Sequence, residues 1–175
     1  MTLPLTVTAF PVQIPKGFLP DPAAIFRNGK ICPGYDAVTG YRPRWGGGFN
    51  AIRWRDHKGL LHRAIDIMAP QGALVCSPTA GKIISCGLSD KGGNHAFIRT
   101  FSGHVWYFAH MRGPLSFAPG ESIEADQPIG IVGRTGNAAP GCPHLHLSLT
   151  DPHGKKLDSV PLLRPLYDLG KWERA

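Results

Sequence analysis

The stretch His95–His110, HAFIRTFSGHVWYFAH, holds two β-type runs, His95–Phe101 and Val105–His110, on either side of a Ser102-Gly103 turn signal. The same texture recurs on both flanks. Ala64–Met68, Ala73–Cys76 and Lys82–Cys86 precede it, and Pro128–Gly133 and His144–Leu149 follow. Between the runs sit Pro78-Thr79-Ala80-Gly81, Gly92-Gly93-Asn94, Pro119-Gly120 and the segment Gly136–Pro143. Short strands at this spacing, divided by Gly, Pro and Asn, are what an antiparallel sandwich or barrel requires. The predicted fold is mainly β, an antiparallel sheet or sandwich.

Composition agrees. The 175 residues include 22 glycines and 17 prolines, and only 18% are charged, so long helices are not expected. A hydrophobic content of 42% is enough to oppose the entropy lost on folding and excludes general disorder. At this length one domain is the default. Residues 1–45 read as a loop-rich N-terminal arm with Pro4, Pro11, Pro15 and Pro20. One short helix is expected in it, with Asp21 as N-cap, Pro22 at the first helical position and Asn28-Gly29 as the stop. Residues 46–160 carry the β pattern, and the apolar, proline-broken tail 161–175 reads as a strap that packs back on the sheet.

The net charge of +7 favours an anionic partner. Nucleic acid is not that partner: the basic residues are scattered, and no nucleic-acid motif accompanies them. No run of apolar residues is long enough for a membrane span. The start, MTLPLTVTAFPVQIP, lacks an early basic residue, and Thr and Pro interrupt its apolar stretch, so no classical export signal is read there. Cys32, Cys76, Cys86 and Cys142 contain no C-x-x-C pair. They allow three disulfide connectivities, among which the sequence does not choose.

Eight histidines stand beside only twelve carboxylates. In Pro143-His144-Leu145-His146-Leu147, strand alternation sends the leucines to the core and puts His144 and His146 on one cleft face, their α-carbons about 7 Å apart. His62 and Asp66 would lie about 13 Å apart on an extended segment, too far to share a metal, so a bend is predicted between His62 and Ala64. Two histidines, one carboxylate and water make an open catalytic zinc shell, whereas structural zinc sites are closed by four protein ligands. Asn50, in the glycine-rich lead-in to His62, is a candidate substrate-binding residue or a plain turn former. Trp45, Trp54 and Trp106 are candidates for the cleft or the core.

The ordered set His62-x-x-x-Asp66-Ile67-x-Ala69-Pro70-x-Gly72, Phe108-Ala109-His110-Met111, Gln127-Pro128-Ile129-Gly130, Gly133-x-Thr135-Gly136-Asn137 and Pro143-His144-Leu145-His146 resembles the lysostaphin-type zinc metalloendopeptidases. Those enzymes cut peptide cross-bridges or stem peptides of bacterial peptidoglycan. The resemblance covers about residues 45 to 150 and makes 46–160 a lysostaphin-like peptidase domain. It implies one zinc ion held by His62, Asp66 and His146 in a groove, with His110 and His144 as catalytic residues that handle the attacking water and the leaving amine. Two positions depart from the family pattern: Ala64 stands where glycine is usual, and Phe108 where tyrosine is common. Some relatives have lost zinc ligands and act as wall-binding or amidase-regulating modules, which is the alternative reading. All five key side chains are present here. A wall enzyme implies work in the bacterial cell wall or periplasm, an anionic envelope around the substrate, and delivery as a lysin or an injected antibacterial effector. An effector implies an immunity or inhibitor protein as a further partner.

Overall fold

A computed structural model describes residues 4–21, 24–35, 41–53, 60–113 and 115–175. Its strands are β1 (Val12–Pro15), β2 (Phe26–Arg27), β3 (Lys30–Ile31), β4 (Arg44–Trp45), β5 (Ile52–Arg53), β6 (Leu60–Leu61), β7 (Ile65–Met68), β8 (Leu74–Cys76), β9 (Gly81–Ser89), β10 (Gly93–Thr100), β11 (Val105–Met111), β12 (Ser122–Ile123), β13 (Pro128–Ile131), β14 (His144–Thr150), β15 (Lys156–Leu157) and β16 (Glu173–Arg174). Among the described residues there is one α-helix, α1, which spans Val160–Asp168.

The larger sheet runs β12-β9-β10-β11-β14-β7-β4, with β15 on the edge of β14, and every pairing in it is antiparallel. A second sheet, β13-β8-β1-β16, packs against it. One hydrophobic cluster joins the two: Val12 and Val75 from the second sheet meet Ile65, Ile98, Trp106 and Phe108 from the first. The predicted runs all appear as strands, and Leu145, Leu147 and Leu149 are fully buried, as the alternation in β14 requires. Trp106 is core.

Two segments differ from the sequence reading. Part of the expected N-terminal helix falls on residues 22–23, outside the described residues. Of the remainder, Phe26–Arg27 pairs with Lys30–Ile31 in a hairpin whose turn, Asn28-Gly29, has φ of 51° and 74°. Positive φ at both central residues is the I′-type turn that Asn-Gly specifies most strongly, so the dipeptide taken as a helix stop is a hairpin signal. The arm also contributes to the core itself, with Phe10 and Val12 fully buried and β1 inside the second sheet.

The tail, read as a proline-broken strap, contains the helix. Pro161 sits in its first turn, where a missing N–H costs nothing, and Asp158 Oδ1 accepts the Val160 N–H at 3.0 Å. Pro165 removes one internal hydrogen bond, but Leu163, Leu166 and Tyr167 line one face against the core and outweigh it. Tyr167 packs on Phe10 and Trp45 and donates its hydroxyl to the Pro43 carbonyl at 2.9 Å. Tyr167→Phe keeps the ring and deletes that bond. It should lower unfolding free energy by about 1 kcal/mol, read as a lower urea midpoint at unchanged slope.

Candidate metal centre and groove

Three adjacent strands of the large sheet build the site. Asp66 on β7 pairs directly with His146 on β14, and His146 pairs with Ala109 on β11. Opposed residues in antiparallel strands carry their side chains on the same face, so register alone places Asp66 beside His146. His62 precedes β7, and the chain turns at Arg63, whose φ is 53°. That bend folds His62 back over the strand, so its Nε2 lies 3.3 Å from Asp66 Oδ1. Ala64 is buried and has no positive φ, so the glycine common at this position in the lysostaphin-type enzymes is not needed here.

His62 Nε2, Asp66 Oδ1 and His146 Nδ1 form a triangle with edges of 3.0, 3.1 and 3.3 Å. Donors in a tetrahedral zinc shell, with bonds of about 2.0–2.2 Å, lie roughly 3.3–3.6 Å apart, so the triangle is close to one face of such a shell. The proton count agrees. His62 Nδ1–H donates to the Gly48 carbonyl at 3.2 Å, which leaves Nε2 as a lone pair facing a carboxylate oxygen. His62 Nε2, Asp66 Oδ1 and His146 Nδ1 then converge as a donor set that a divalent cation fits. Asp66 is only 6% exposed. Burial pushes its carboxyl pKa up, but the imidazoles of His146 and His62 packed against it outweigh burial and hold it well below the usual carboxylate range.

The glycine-rich lead-in wraps this centre with backbone. Gly46 N–H donates to the Asp66 carbonyl, and Asp66 N–H donates to the Gly47 carbonyl, both at 2.8 Å. A β-carbon at Gly46 would sit 2.9 Å from Met68 Sδ and 3.2 Å from the Asp66 carbonyl, so any larger residue there has to push the Met68 side chain aside.

His110 and His144 face the triangle from the groove side, their rings 4.9 Å apart. Each is fixed through Nδ1, His110 to the Thr135 carbonyl and His144 to the Cys142 carbonyl, both at 2.9 Å. With Nδ1–H donating to a carbonyl, each neutral imidazole turns an Nε2 lone pair toward the groove. His144 Nε2 lies 3.9 Å from Asp66 Oδ1. Burial pushes the His110 pKa down to about 4, helped by the neighbouring His144 and His146, so this imidazole is neutral at neutral pH. His110 has φ of 66°, a left-handed backbone that aims its ring into the groove beside Ala109. The groove encloses about 290 Å³.

The family model described as Peptidase family M23 matches residues 60–159, more than half of the chain and all five of these residues. The chain belongs to peptidase family M23. It is 32% identical over 145 residues to the L-Ala–D-Glu endopeptidase of Bacillus subtilis, a match that covers 77% of this chain and 40% of that protein. The chain thus spans less than half the length of that curated relative. Among solved structures, the catalytic domain of the antimicrobial peptidase lysostaphin from Staphylococcus simulans is 26% identical, with a TM-score of 0.61 over 69% of this chain and 92% of that one. A zinc-containing peptidase from Vibrio cholerae is 26% identical, with a TM-score of 0.58 over 66% of this chain and 35% of that one.

Within this M23 chain, His62, Asp66, His110, His144 and His146 meet at one groove, and Asn50 does not line it. Asn50 is exposed in a turn, 3.5 Å from an Arg63 guanidinium nitrogen that donates to its Oδ1. Trp45 packs on Phe10 and Tyr167 and under Arg164, and Trp54 lies outside the described residues. Sequence reasoning missed Lys91, Tyr107 and the carbonyls of Gly48, Thr135 and Cys142, although all of them shape the M23 site. Carbonyl anchors carry no residue signature. The only sequence trace was that Thr135 and Cys142 sit in the turns that precede His-bearing or groove-lining segments.

Proposed function

We propose that this chain is a zinc-dependent endopeptidase that hydrolyses peptide bonds in bacterial peptidoglycan cross-links or stem peptides. The observation that carries this reading is the convergence of His62, Asp66 and His146 with two pinned imidazoles across an open groove. His62, Asp66 and His146 would hold one zinc ion; when bound, zinc acidifies water and polarises a carbonyl. His144 and His110 do the proton work. An Nε2 lone pair facing the groove would accept the attacking water's proton and then deliver that same proton to the leaving amine, while the Nδ1 anchors keep both rings aimed. A wall-binding or regulatory module has no use for this complete set, and nothing in the geometry favours that alternative.

Residues 46–160 are the peptidase unit in this reading, braced by the arm 1–45 and the tail 161–175. The Cys32–Cys142 disulfide supports work in an oxidising place such as the bacterial wall, after delivery as a lysin or an injected effector. The +7 charge supports retention on an anionic envelope. The test is release of muropeptides from purified walls, identified by mass spectrometry. Release should stop on chelation and return with zinc, and walls left intact by the zinc-loaded protein across several chemotypes would refute the reading.

A further inference from the structure

The groove has a charge pattern that the hydrolytic machinery does not use. Lys91 is exposed on the β9–β10 turn at the groove wall and has no ion-pair partner among the described residues. Among the described residues the carboxylate at the site is that of Asp66, held against His62 and His146, and neighbouring Asp90 is not part of the groove lining. Tyr107, on the groove floor beside His146, stacks on Phe97, and its hydroxyl has no hydrogen-bond partner among the described residues.

The turn that carries Lys91 is clamped to the site. Gly92 accepts the His110 N–H at 2.7 Å, and Lys91 accepts the Asn137 N–H at 3.1 Å. Thr135 Oγ1 accepts from Asn94 N–H and donates to the Met111 carbonyl. A β-carbon at Gly92 would fall 2.2 Å from the Tyr107 hydroxyl, so glycine there leaves room for the phenol directly under the lysine turn. A lysine carried on a clamped turn and a hydroxyl with no hydrogen-bond partner among the described residues, both beside the reacting centre, form a recognition pair for an anion, and Asn137 adds an amide at the rim.

We propose that Lys91 and Tyr107 form a subsite for a carboxylate of the substrate, so that the peptide this chain cuts is acidic, a stem peptide with a free glutamate carboxylate, and not a neutral glycine bridge. This rests on the proposed peptidase function. Both residues are positioning and specificity residues and take no part in proton transfer.

The test uses two synthetic stem peptides of equal length, one with the glutamate carboxylate free and one with it amidated. Binding to the zinc-loaded full chain is read by calorimetry in a His144→Ala background, and kcat and KM are read in the unmutated protein. The acidic peptide should bind about fivefold more tightly than the amide, a preference that shrinks with added salt. Lys91→Gln should bring the ratio to about one, Lys91→Arg should restore most of it, and Tyr107→Phe should reduce it by about threefold. In the unmutated protein the preference should appear in KM. Equal binding of the two peptides, a ratio that survives Lys91→Gln, or no measurable binding of either peptide overturns the subsite. Wall hydrolysis without that preference defeats the subsite and leaves the peptidase reading standing; the preference without hydrolysis of either peptide does the reverse.

Discussion

Alanine at His144 or at His110 is expected to cut turnover on purified wall by about 10²–10⁴-fold while the protein keeps its fold and its zinc. The expectation follows from where each ring is anchored. Neither imidazole belongs to the His62, Asp66 and His146 triangle, and each is held by a backbone carbonyl through Nδ1, so removing one leaves all three donors in place. What disappears is one Nε2 lone pair over the groove. His110 needs a second variant, because its φ of 66° suits few residues and alanine there adds backbone strain. His110→Asn tolerates the left-handed backbone and still removes the imidazole, so a loss shared by both variants belongs to the chemistry. Asp66→Asn provides the contrast: it should lower zinc content itself, because a buried carboxylate is replaced by a weaker neutral donor. Elemental analysis beside kcat separates the two classes. Near-normal turnover in His144→Ala or His110→Asn would remove that residue from the mechanism.

The sheet and the triangle were legible in the sequence because both depend on strand alternation. Leu145, Leu147 and Leu149 can be buried together only if His144 and His146 share the opposite face, and the structure has this arrangement. The bend at Arg63 was legible too, since no extended segment brings His62 to Asp66. The misreadings came from residues with two physical uses. Asn28-Gly29 both ends helices and closes I′ hairpins, and which it does depends on whether the flanking residues find strand partners. Pro161 and Pro165 marked the tail as broken, yet burial of Leu163 and Tyr167 against Phe10 and Trp45 outweighs the local propensity. Lys91 was invisible because a lone lysine on a turn reads as solvated surface. Its place in the groove depends on the pairing of β9 with β10 and on contacts of the turn with Asn137 and His110, none of which is local in sequence.

Loss of the Cys32–Cys142 disulfide is expected to cost about 2–4 kcal/mol of stability and up to about 10²-fold in turnover, without loss of zinc. The bond joins residues 110 apart in sequence, so it restricts a long loop of the unfolded chain, the case in which a cross-link has most effect. It also ties the N-terminal arm to the residue whose carbonyl holds His144 Nδ1. Cutting it frees the Gly141–Pro143 segment and lets the His144 ring drift from the geometry in which Nε2 faces the groove. The triangle is anchored elsewhere, by the Gly48 carbonyl and by the pairing of β7 with β14, so metal content should hold. Mild reductant should act at this bond alone, since Cys76 and Cys86 are free cysteines. Burial pushes the Cys76 thiol up to about 12, so it stays protonated and slow to exchange. The double variant Cys32→Ser with Cys142→Ser should match the reduced protein in urea midpoint, in kcat and in zinc content. A reduced protein with the midpoint and kcat of the oxidised one would show that the arm does not position His144, and the β14 strand alone would then account for the ring's aim.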